Sequence, residues 1–564
     1  MASALGVAGR RRRPRTLAGM NVTRTTGEAI VDGLLAHGVD TVFGIPGVQT
    51  YALFDALARA GDRITTYTGR HEQGPAYMAF GYAQASGRPG VFSVVPGPGM
   101  LNAASAILSG HGASVPMVCV TGEVPAAHIG RGLGQLHEMP DQLATMRTFT
   151  KWAANILHPA EAPGLVAEAF RQATSGRPRP VALASPWDTL AQSAPCPPCV
   201  PLHTAPPTPD PAAVERAAAL VAGARNPMIM VGSGARAAGT EVLALARRLQ
   251  APVVSFRGGR GIVSDESPYG FTCAEGYERW ADTDVLIGIG SRLELMWGRW
   301  GTPPAGVRVV LVDIDPAQRS RLAPAAAIVA DAAAGTQALL DSLPASLVPA
   351  DRSEEFAALK AKRQAEIADH LQPHVDHLSA IRRALPRDGF FVEEVCQVGF
   401  TSFLAFPVYS PRTFVTNGCQ GALGFGVPTS LGVKAAYPDR AVVAVTGDGG
   451  FLFGATELAT AVQHGLGVVT VVFNNDAYGN VLNDQRRLFD GRAIGSELRN
   501  PDFVALARAF GAEGVRAETP DELEKAVIDG IERDVPTVIE VPMPLDGKRT
   551  PWPFLMPQRT GGAR

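Results

Sequence analysis

Two apolar patterns alternate along the chain. Short runs of Val, Ile, Leu and Ala without polar alternation, such as residues 115–121, Pro227–Val231, Val285–Ile289, 307–312, 441–446 and 468–473, read as strands buried on both faces. Other stretches have the 3.6-residue spacing of helices: 25–38, the small-residue run 76–86, and 453–464, where Leu458, Ala461 and Val462 share a face. This alternation predicts parallel sheets covered by helices. Residues 194–209 are dense in proline and read as a linker, and 352–371 read as a polar helical arm. The expected layout is three doubly wound α/β domains at 22–193, 211–345 and 373–545. A linker at 194–210, a connecting helix at 346–372 and a tail at 546–564 complete it.

The strand ends hold the candidate chemistry. The run 441–446 leads into Gly447-Asp448-Gly449-Gly450, and 468–473 leads into Asn474-Asn475-Asp476. The glycines permit a tight turn and a close approach to a ligand. The helix that follows would aim its N-terminus at an anion such as phosphate. Mg²⁺ takes oxygen ligands, a few from protein and the rest from phosphate and water. Asp448 offers a carboxylate, Asn475 an amide oxygen and Ala477 a backbone carbonyl. Neighbouring parallel strands would set them side by side, where open α/β sheets bind ligands. A magnesium diphosphate site is expected, although each motif alone also suits an ordinary turn.

Gly447-Asp448-Gly449, a spacer of 24 residues, and Asn474-Asn475 together resemble the signature of thiamine diphosphate (ThDP) enzymes. The surrounding text through Thr456-Glu457-Leu458-Ala459 looks like the acetolactate synthase branch, and the resemblance spans residues 22–556. It implies a pyrimidine-binding, a central and a diphosphate-binding domain, in that order. It also implies a homodimer or homotetramer with ThDP between the first domain of one subunit and the third of another. Arg70-His71-Glu72-Gln73-Gly74 resembles the catalytic glutamate motif, which would set Glu72 against N1′ of the aminopyrimidine to control cofactor activation. A carboxylate near a helix N-terminus is favourable without any such role. Gly418-Cys419-Gln420-Gly421-Ala422-Leu423-Gly424 resembles the loop that bends the cofactor. There Leu423 would wedge between the rings and the Gly421 carbonyl would accept from the 4′ amine. The implied activity is loss of CO₂ from a 2-oxo acid followed by ligation to an acceptor. Simple decarboxylation, suggested by Phe43-Gly44-Ile45-Pro46-Gly47-Val48, a thioester-using lyase and a non-catalytic thiamine-binding homologue are the alternatives.

The chain departs from that branch in its pocket. Asp484 stands where a tryptophan is usual, Pro96 begins the usual Ser-Gly-Pro-Gly, and Glu123 replaces a glutamine. Gln135-Leu136-His137-Glu138 replaces Phe-Gln-Glu. Gln49, His111, His137 and Asp484 are the candidate polar groups of a non-standard pocket. Gly232-Ser233-Gly234 and Asp313-Ile314-Asp315 stand where relatives hold FAD or an ADP moiety. The stretch between them is divergent, so a scaffold role is expected for the central domain and FAD is left open.

Composition narrows the rest. The 564 residues are 46% hydrophobic and 18% charged with net charge −2, enough for several cores and with no basic field for nucleic acid. No apolar run reaches membrane-spanning length. Six cysteines make no disulfide framework in this length, and a reducing, cytoplasmic compartment is expected. Cys196-Pro-Pro-Cys199 has no second pair nearby and is not read as a metal site. Arg10 to Arg13 and Arg15 form a basic cluster without an apolar region after it. Residues 1–21 are read as a disordered extension, with a transit peptide, a nucleic-acid arm or a working start at Met20 as other readings.

Overall fold

The computed structural model describes residues 21–545 and 549–557. The basic N-terminal cluster therefore lies outside the described residues. Three six-stranded sheets, all parallel, form three α/β units. The first holds, in spatial order, Thr65–Thr68, Thr41–Gly44, Gly90–Val94, Met117–Glu123, Val181–Pro186 and Trp152–Asn155. The third holds Phe414–Val415, Phe390–Glu393, Val442–Gly447, Val469–Asn474, Thr537–Pro542 and Glu513–Arg516. Counted along the chain, both run 2-1-3-4-6-5. The central sheet runs 3-2-1-4-5-6, the dinucleotide-binding order. In open sheets of this kind, ligands bind at the carboxyl ends of the strands where strand order reverses.

The buried strands are the uninterrupted apolar runs. Pro227–Val231 and Val285–Ile289 are buried throughout, because helices cover both faces of a parallel sheet. Strand register sets Gly447 beside Phe473, so Asp448 and Asn474 leave the sheet together.

Three expectations need correction. The helix read from 453 begins at Asp448: it runs Asp448–Gly454, tightens into a 3₁₀ turn at Ala455–Glu457 and resumes at Leu458–His464. Leu458 and Ala461 are buried, but the break rotates Val462 outward to 37% exposure. The proline-dense linker begins as structure, since Ser193–Cys196 pairs antiparallel with Val22–Thr25. Residues 549–557 of the tail also dock. Trp552 donates to Asn480 Oδ1 (2.9 Å) and packs its ring, tilted by 51°, against Phe400, while Phe554 and Leu555 are buried.

The first and third units share a core. Helix Gln73–Ser86 lies on helix Gly426–Ala436, with Gly81 against the Thr429 backbone and Gly432 against the Met78 backbone. A Cβ at either glycine would strike the facing carbonyl, so close helix contact requires both. Among the described residues no helix is long and apolar enough to cross a membrane.

Candidate active site

Asp448 opens the helix Asp448–Gly454 at the end of its strand and is 3% exposed. Its Oδ2 accepts from the Ala477 backbone N–H (3.1 Å) and from Asn500 Nδ2 (2.7 Å). Asn500 also donates to Asn474 Oδ1 (2.9 Å) and Asp476 Oδ1 (3.2 Å). Asp476 sits at φ 53°, a left-handed turn that reverses the chain between Asn475 and Ala477. Burial raises the Asp448 pKa above the usual carboxylate value, against the pull of Asn500 and the turn amides. Among the described residues no Lys, Arg or His forms an ion pair with it. A buried carboxylate without a basic partner, beside amide oxygens, fits a hard cation that shares its other ligands with phosphate. Asn500 was invisible in the sequence, since it lies in an irregular segment well beyond the Asn474-Asn475 motif.

The 418–424 loop rests on a second buried carboxylate. Glu394 accepts from the backbone N–H of Gly424 (2.6 Å) and of Gly426 (2.8 Å). Burial pushes its carboxyl up to about 7. Asn417 donates to the Ala422 carbonyl (3.2 Å), and Gly421 and Gly424 both adopt positive φ. This fold presents Leu423 half-buried at the loop apex.

Glu72 is the N-cap residue of Gln73–Ser86 and accepts from Asn102 Nδ2 (2.9 Å). It lies beside Gly99 at the start of helix Pro98–Ala113. Gly112, near the other end of that helix, touches Cys419 and Gln420 of the 418–424 loop. Thirteen residues at about 1.5 Å each put about 20 Å between these ends.

The pocket candidates divide. Gln49 and His137 meet: His137 Nδ1 is 3.1 Å from Gln49 Oε1, and Gln49 Nε2 donates to the Leu136 carbonyl (2.9 Å). His137 has φ 62°, a strained position for this residue. Its carbonyl abuts Gly97, in the same Gly97-Pro98-Gly99 turn that flanks Glu72. Gln142 secures that turn, accepting from Gly97 N–H (3.0 Å) and donating to Glu123 Oε2 (3.1 Å). The Glu123 replacement thus serves the turn from a buried position. His111 lies elsewhere, near Arg177 and Arg179, where burial and then those charges lower its pKa to about 4. Asp484, on helix Gly479–Leu488, pairs with Arg487 (2.9 Å).

A cavity of about 360 Å³ opens at the switch point of the central sheet, against Gly232-Ser233-Gly234 and Gly290. Arg177, Arg236, Arg257, Arg292 and Arg412 line it. Arg257 leaves Nε and Nη1 buried without a hydrogen-bond partner, which suits an anionic ligand. Cys196 and Cys199 are free thiols facing backbone carbonyls. Among the described residues no group of three or more His, Cys, Asp or Glu could hold a metal.

Residues 24–145 match the thiamine pyrophosphate enzyme N-terminal TPP binding domain, 214–339 the central domain, and 394–541 the C-terminal TPP binding domain. A relative from Pseudomonas aeruginosa named "Probable 2-ketoarginine decarboxylase" is 37% identical, covering 92% of this chain and 94% of its own. The chain belongs to the thiamine pyrophosphate enzyme family. The acetolactate synthase large subunit of Haemophilus influenzae is 31% identical over 88% of this chain and 90% of its own. The acetolactate synthase isozyme 2 large subunit of Escherichia coli is 32% identical over 94% and 97%. The three sheets correspond to the family's three domains, and the Asp448 turn and the Glu394 loop both lie in its C-terminal TPP binding domain.

Proposed function

We propose that this thiamine pyrophosphate enzyme is magnesium-dependent, removes CO₂ from a 2-oxo acid and releases the aldehyde. The observation that carries the reading is Asp448, a buried carboxylate without a basic partner among the described residues, level with Asn474 at the end of the next strand and Asn475 just beyond it. Asp448, Asn475 and the Ala477 carbonyl would hold Mg²⁺, and Gly447, Gly449 and Gly450 would admit the diphosphate. Leu423 and the Gly421 carbonyl would hold the two rings folded. When bound, ThDP supplies the electron sink for decarboxylation. Glu72 would hold and return a proton at N1′, while Gln49 and His137 would present polar groups near the Gly97 turn next to it.

The site needs two chains. Within one chain Glu72 and the wedge loop sit at opposite ends of a helix, so Glu72 of the partner subunit would complete each site in a homodimer or homotetramer. Exposed apolar residues support this, with Leu101 and Leu108 on that helix and Leu452 and Phe453 beyond Asp448.

Decarboxylation is preferred to ligation because the relative named a decarboxylase is the more similar of those compared, and because Asp484 stands in for the aromatic acceptor-site residue. The acetolactate synthase relatives support ligation as the second reading. The reaction has no net redox change, so it is proposed to need no flavin. The arginine-lined cavity suits FAD or an ADP moiety as a separate ligand. All six cysteines are unpaired, consistent with a cytoplasmic setting.

The test is a screen of 2-oxo acids, including pyruvate and 2-ketoarginine, for CO₂ release with ThDP and Mg²⁺. Aldehyde as product supports the proposal. Acetolactate from pyruvate would establish ligation instead, and no CO₂ from any substrate would overturn both.

A further inference from the structure

Glu394 is fully buried at the end of strand Phe390–Glu393, and among the described residues no basic side chain pairs with it. Its two oxygens serve different elements. Oε2 meets the Gly426 N–H at the start of helix Gly426–Ala436, where a helix favours negative charge. Oε1 meets the Gly424 N–H, next to Leu423. The same oxygen faces Gly450, two residues past Asp448, closely enough that a Cβ there would strike it. Gly426 stands likewise against Oε2. On the far side of the loop, Gly424 lies against Phe453 of the helix that Asp448 opens. One carboxylate therefore touches the loop that carries the wedge and the turn that carries the candidate metal ligand. Charge-assisted bonds to backbone amides are short and directional, so they transmit position as well as energy.

We propose that Glu394 is a positioning residue for the cofactor, fixing the distance between the Leu423 wedge and the Asp448 diphosphate site. This rests on the ThDP reading above. A ligand that occupies both places at once, the complete cofactor, depends on that distance. A ligand that occupies only the Asp448 end does not.

The experiment compares the wild-type chain with Glu394→Gln and, as a milder change, Glu394→Asp. Hydrogen exchange is followed at the Gly424 and Gly426 amides in cofactor-free protein. Calorimetry then measures binding of ThDP with Mg²⁺ and of magnesium pyrophosphate. Glu394→Gln turns a donor toward one amide, and Glu394→Asp withdraws the carboxylate by one methylene. Both variants are expected to exchange those amides faster and to lose about tenfold or more in ThDP affinity, the scale of a lost charged hydrogen bond, while magnesium pyrophosphate binds as in wild type. Unchanged exchange and ThDP affinity in a folded variant would overturn the inference. So would an equal loss for ThDP and pyrophosphate alongside a lower unfolding midpoint, which marks a purely structural role. A wild-type chain that binds no ThDP would sink the functional reading itself, whereas wild-type binding with unaffected variants would sink only the role of Glu394.

Discussion

Glu457 of the third domain accepts the backbone N–H groups of Arg70 (3.0 Å) and His71 (3.1 Å), the two residues immediately before Glu72. Thr460 adds a hydroxyl donor at 2.6 Å, and the carboxylate is 1% exposed. The diphosphate-binding half thus holds the turn from which the candidate catalytic acid projects. Glu457→Ala strips both amides of their acceptor. It is expected to destabilise by about 1–3 kcal/mol, the cost of leaving such groups unsatisfied. Denaturant unfolding measures this, and an unchanged midpoint would show that the contact contributes nothing.

Glu72→Gln keeps size and shape, and Asn102 still has an oxygen to donate to. ThDP binding should survive. Exchange of the thiazolium C2 proton, read by NMR after acid quench, should slow by about 10²- to 10⁴-fold, the usual contribution of a positioned proton-transfer group. Equal exchange rates would remove Glu72 from the catalytic role and reopen a non-catalytic reading.

Asp448→Ala should abolish Mg²⁺-dependent ThDP binding, because it removes the charged ligand of the cation proposed to bridge the diphosphate to the strand end. Calorimetry with and without Mg²⁺ decides it. The assignment fails if the variant keeps wild-type affinity.

His111 sets a pH signature. Its pKa of about 4 in the folded chain lies below the ordinary histidine value of about 6.5. As pH falls through 6.5 toward 4, the unfolded chain takes up a proton that the folded chain refuses, so this contribution to stability is lost with acidification. His111→Gln should therefore show a shallower fall in unfolding midpoint than wild type across that window. Parallel curves would contradict the assignment.

Assembly is the fifth test. Sedimentation should find a dimer or tetramer, and Phe453→Asp should shift it toward monomer with loss of activity. A fully active wild-type monomer would refute the shared site.

Some of this protein could be read without coordinates. Apolar runs mark strands of buried parallel sheets because both faces are covered, so the pattern is local and shows in the text. Gly447-Asp448-Gly449 and Asn474-Asn475 are local too, since a turn constrains only its own residues. The helix start is hidden in the sequence because Asp448 and the glycines after it have poor helical propensity, yet packing beneath the strand end makes them the first turn. Glu394 and Asn500 carry no signal, and Glu457 shows only as one letter of a family resemblance with no role attached, as a carboxylate or amide reads the same whether it faces water or a distant backbone. Glu457 is 386 residues from His71, and Glu394 is 30 from Gly424. Only the fold brings such partners together and removes the water that would otherwise satisfy them, which turns ordinary polar side chains into the supports of the site.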